Sequence, residues 1–111
     1  MGLILNPKNK ERILFMNSSQ AYLLTIEGLK IETQNELKRF HANTTEFMQI
    51  SYQIAAYDEI LRLVMANKKQ SFCQTLELFI KKMELLSRNH RDILFDVAKD
   101  TALYLYDLCF L

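Results

Sequence analysis

Residues 70–87, QSFCQTLELFIKKMELLS, decide the fold class. Phe72, Leu76, Phe79, Met83 and Leu86 recur at steps of three and four and gather on one face of a helix, with Glu77, Lys81, Glu84 and Arg88 on the opposite face. Glu77 precedes Lys81, and Glu84 precedes Arg88, by four residues, the orientation in which an ion pair steadies a helix by roughly 0.2–0.5 kcal/mol. A helix with one apolar face needs other such faces to cover it, and the rest of the chain supplies them.

Upstream, Asn67 and the lysines after it suit the end of a helix, since cations favour the negative end of the helix dipole. Before them Phe47, Ile50, Ile54, Tyr57, Leu61 and Val64 form a seam of steps three and four. Asn43, with Glu46 three residues on, resembles a capping box and places the start near Thr44. Met48, Tyr52, Ala56 and Leu63 lie across the axis from this seam. A further helix is expected from Ser18 to His41, its inner row being Tyr22, Ile26, Leu29, Thr33, Leu37 and Phe40. Whether it runs unbroken into the next helix is left open by the spacing. Asn6 before Pro7 is a start signal for a short helix reaching about Met16.

Downstream, Ser87 to His90 reads as a turn, Asn89 as a candidate cap, and Asp92 as an acid favoured at a helix start; a last helix then runs to the chain end. At about 100° per residue, Asp92, Asp96, Lys99, Asp100 and Asp107 fall on one arc, and apolar residues occupy nearly all the rest. The expected architecture is one all-α domain over residues 1–111, an up-down four-helix bundle with a short N-terminal helical segment.

Composition excludes several functions. Lysine and arginine number 14 against 13 acidic residues, leaving +1 and no excess to draw in a phosphate backbone or an anionic membrane. No run approaches the ~20 apolar residues of a membrane span, and the apolar start is cut short by Pro7, Lys8 and Lys10 before it could serve as a signal peptide. Cys73 and Cys109 fit no metal or CxxC spacing and read as buried, inert thiols, which suits a reducing cytoplasm. Neither His41 nor His90 belongs to a Glu-x-x-His pair, no glycine-rich phosphate loop exists, and no spacing joins a nucleophile to a base, so neither catalysis nor a cofactor is expected.

What remains is binding to protein. The last helix is apolar over a wider arc than one neighbour covers, and Leu78 and Leu85 add an apolar flank seven residues apart. The residues expected to meet a partner are Met48, Tyr52, Leu63, Phe95, Tyr104, Tyr106, Leu108 and Phe110, the partner being an apolar helix of another protein or a second copy in a homodimer. Small adaptors, chaperone-like proteins and inhibitor bundles share this physical description. The acids of the last helix read as a solvated face paired with Lys81, Lys82, Arg88 or Arg91, or as a steering patch for a basic partner. The alternative is a dimeric DNA-associated transcriptional regulator binding through Arg88 and Arg91; Asp92 and Asp96, which would repel phosphates, weigh against it.

Overall fold

The computed structural model describes residues 18–67 and 69–109. These form four helices, α1 (Ser18–Leu37), α2 (Thr45–Ala66), α3 (Phe72–Asn89) and α4 (Ile93–Leu108), and no strand. The short helix expected over residues 6–16 lies outside the described residues.

The two turns are built by local hydrogen bonds. The first helix stops at Leu37, four residues before the expected His41, because Arg39 and Phe40 donate to the carbonyls of Glu36 and Leu37, three residues back, and tighten the chain out of its helix. The first and second helices are therefore separate. Thr44, in extended backbone, is the cap of α2 in place of the expected Asn43: its hydroxyl oxygen accepts from the Phe47 amide at 3.2 Å. Asn67 ends α2 as expected but without the left-handed backbone; its Nδ2 donates to the Leu63 carbonyl at 2.9 Å.

Ser71 and Gln74 form a reciprocal capping box at the head of α3. The Ser71 Oγ accepts from the Gln74 amide at 3.1 Å, and Gln74 Oε1 accepts from the Ser71 amide at 3.2 Å. Ser71→Ala is expected to lower stability by about 1 kcal/mol, read as a shift of the urea midpoint with unchanged slope. At the other end α3 continues through Asn89, and Asp92, not Asn89, caps α4 by accepting from the Leu94 amide at 3.0 Å.

Interhelical contacts fix the directions. Ser87 donates to Asp96 at 2.6 Å, Lys99 lies 3.5 Å from Glu84, and Tyr106 donates to Glu77 at 2.7 Å. Partner numbers rise on α4 as they fall on α3 by equal amounts, so the two helices are antiparallel in a single register. Glu77 and Glu84 thus find interhelical partners instead of Lys81 and Arg88. Lys30 pairs with Asp58, which sets α1 against α2. Tyr22 stacks on Phe72 with ring centroids 4.2 Å apart, which brings the starts of α1 and α3 together. The chain is therefore an up-down-up-down bundle. The α1 helix packs along α2, α2 along α4 and α4 along α3, with lighter contact of α3 on α1 and α2.

The core holds Ile26, Leu29, Tyr57, Ile60, Val64, Phe72, Leu76, Phe79, Met83 and Leu105, with Ala56, Ala98 and Ala102 where helices approach closely. The apolar face of α3 is the one its spacing predicts, with Phe72, Leu76, Phe79 and Met83 all buried. On α2 the buried row is Ile50, Ala56, Tyr57, Ile60 and Val64, rotated from the expected seam. Ala56, expected to face water, is buried, and Ile54 and Leu61 are only half-buried. The reason is that α2 has two neighbours, α1 and α4, and its buried arc lies between them. Among the described residues the buried polar side chains are three threonines, Thr33, Thr75 and Thr101, each donating to the carbonyl four residues back at 2.7, 3.1 and 2.8 Å. A hydroxyl satisfied by its own helix removes the penalty for burying it.

Candidate protein-binding face

Two helices, α2 and α4, carry seven of the eight residues expected to meet a partner. Asp58 faces α1 through its pair with Lys30. Ala56 projects about 160° away from it, so the Ala56 side of α2 faces α4, its other neighbour. Tyr52 and Met48 continue that row toward the start of α2, with Leu63 further along the same side. On α4, Lys99 and Tyr106 face α3 through Glu84 and Glu77. Tyr104 and Leu108 project roughly 150° from these, toward α2.

Five of the expected residues, Met48, Tyr52, Leu63, Tyr104 and Leu108, therefore border one seam, where α2 lies along α4. Met48 is 37% and Tyr104 44% exposed, Tyr52 is half-buried, and Leu63 and Leu108 are half-buried against the core. Leu103, 38% exposed and not among the expected residues, adds to the outer surface of α4. Phe95 and Tyr106 are both half-buried and engaged within the chain. Phe95 packs on the core with its ring 6.0 Å from that of His90, and the Tyr106 hydroxyl is bound to Glu77. Phe110 lies outside the described residues. Much of the wide apolar arc of the last helix is thus covered by α3 and α2 of the same chain.

Charge frames the seam. On α2, Arg62 donates to both carboxylate oxygens of Glu59, and this bond holds the Glu59 carboxyl below its ordinary range. On α4, Asp100 and Asp107 are exposed, while Asp96 takes its partner from Ser87 and not from a lysine or arginine of α3. Two further exposed stripes lie elsewhere: Leu78 and Leu85 on α3, as their spacing predicts, and Leu24 and Ile31 on α1, a seven-residue step readable in the sequence but passed over there. Histidines His41 and His90 are both exposed, in different turns. Among the described residues no three metal-ligating side chains converge, and no helix is long and apolar enough to cross a membrane.

The chain matches no family model, no curated protein and no solved structure.

A second set of titrating groups lies where α1 and α3 begin and α4 ends. Burial, then the neighbouring thiols, raises the Tyr22 hydroxyl. Burial, then the thiol of Cys73, pushes Cys109 up to about 12 from an ordinary 9.0. The folded chain keeps a proton on Cys109 that the unfolded chain releases. Stability from this group is therefore whole below about pH 9 and is lost as pH rises toward about 12. The melting temperature is expected to fall through that interval, and to fall less steeply in Cys109→Ala.

Proposed function

We propose that this protein is a non-enzymatic binding module, an adaptor-like or chaperone-like bundle, which docks an apolar helix along the seam between α2 and α4. The reading rests on the exposed Met48 and Tyr104 and the half-buried Tyr52, Leu63 and Leu108, which helix geometry spreads along the two sides of one seam. A groove with large apolar walls and a charged rim is the kind of surface an amphipathic helix occupies, its apolar residues entering and its polar face meeting Glu59, Arg62 and Asp100. Methionine suits such a wall because its flexible thioether adapts to different shapes.

A second copy of the chain is the simplest occupant, because each copy offers both groove and helix and most oligomers are symmetric. Sedimentation of the full chain over a wide concentration range tests this, with a hydrophobic dye reporting the open groove. Concentration-dependent dimerisation, weakened at least about tenfold by Met48→Glu with Tyr104→Glu, is the expected result. A chain that stays strictly monomeric and binds no dye contradicts the proposal.

A further inference from the structure

The cysteines stand far apart in the sequence and belong to no redox motif, yet the bundle brings them together. The register that pairs Glu77 with Tyr106 continues one turn further, placing Cys73, in the first turn of α3, beside Cys109, the C-cap of α4. The Cys73 thiol is near enough to raise that of Cys109, and Tyr22, stacked on Phe72, lies beside them. Both cysteines are free and both are half-buried, so a small reagent reaches them. Cys109 lies just beyond the last turn of α4, where the backbone can move to meet the geometry a disulfide requires with little loss of helix.

We propose that Cys73 and Cys109 are a redox-active dithiol, a modification site that a low-molecular-weight disulfide such as oxidised glutathione closes into an intramolecular disulfide, tying the end of α4 to the start of α3. The thiolate of Cys73 attacks one sulfur of the glutathione disulfide, forming a mixed disulfide and releasing one glutathione thiolate. The Cys109 thiolate then attacks the Cys73 sulfur and releases the second. The two protons lost by the protein thiols convert both leaving groups to glutathione, so the protein is oxidised by two electrons and the glutathione disulfide reduced by two. Cys73 attacks first because burial keeps the proton on Cys109. Excess glutathione reverses both steps. Cys109 directly follows Leu108 of the α2–α4 seam but projects toward α3, and closure of the pair does not depend on what that seam binds.

The test uses the full chain in glutathione buffers of graded ratio, quenched by alkylation and mapped as peptides without reduction. The expected product is a monomer whose peptides containing Cys73 and Cys109 are joined, formed at least about tenfold faster in native buffer than in guanidinium because the fold raises the local thiol concentration. Its melting temperature should rise, on the order of 10 °C, and dithiothreitol should reverse the change. Cys109→Ser should stop at a glutathione adduct on Cys73, and Cys73→Ser should form its adduct on Cys109 more slowly. Three outcomes overturn the proposal: stable mixed disulfides on the unaltered chain, a disulfide between chains, or closure no faster in native protein than in guanidinium.

Discussion

Ile60→Ala is expected to destabilise the protein by about 2–5 kcal/mol, whereas Leu61→Ala should cost less than about 2 kcal/mol. Ile60 is 0% exposed at the point where α2 meets its neighbours, and removing its side chain leaves a cavity between helices that cannot all close on it. Leu61 packs on the edge of the core and is half-buried, so water or a shifted neighbour fills the space. Sequence spacing alone reverses this ranking, since Leu61 belongs to the regular seam and Ile60 does not. Urea unfolding of the two variants decides between the two orientations of α2. For a domain held by only about 5–15 kcal/mol, the Ile60 loss alone approaches unfolding.

Ala102→Leu is the second large effect. Ala102 is 0% exposed, and with Ala98 it forms the small-residue centre of the inner face of α4. Three added carbons force α4 away from its neighbours, at an expected cost of about 1–3 kcal/mol. Leu103→Ala, one residue along and at the surface, should change stability by no more than about 0.5 kcal/mol. A helix free on most sides would tolerate both substitutions alike.

These contrasts show which parts of the architecture the residues declare. In α3 one arc is apolar and the opposite arc charged, so Phe72, Leu76, Phe79 and Met83 could face only inward. The aspartates of α4 likewise mark its outer side, where Asp96, Asp100 and Asp107 are exposed. On α2 two adjacent apolar rows compete, one through Ile54 and Leu61 and one through Ala56 and Ile60. Which is buried depends on the position of α4, a tertiary fact with no local signature. The capping box of Ser71 and Gln74 follows a recognisable pattern that the sequence reading passed over, and Thr44 displaces Asn43 because the tightened α1–α2 turn puts Thr44 in extended backbone at the helix start.

The candidate face was legible in part for the same reason. Met48, Tyr52 and Leu63 stand off the predicted seam of α2, and Tyr104 and Leu108 extend the apolar arc of α4, so each is noticeable singly. That they line the sides of α2 and α4 turned to one another requires knowing that the two helices are neighbours. Phe95 and Tyr106 look equally available in sequence, but Phe95 packs on the core beside the His90 ring of the α3–α4 turn and Tyr106 bonds the Glu77 carboxylate of α3. Cys73 and Cys109 come together only through the antiparallel register of α3 and α4.

The most direct test of the binding reading is site-specific photocrosslinking, with a benzophenone side chain in place of Tyr104 in one preparation and of Asn35, on the exposed polar side of α1, in another. Discrete adducts to a second chain or another protein from position 104, lost when Met48→Glu is added, with none from position 35, are predicted. No adduct from position 104, or the same adducts from both positions, would contradict a docking groove between α2 and α4.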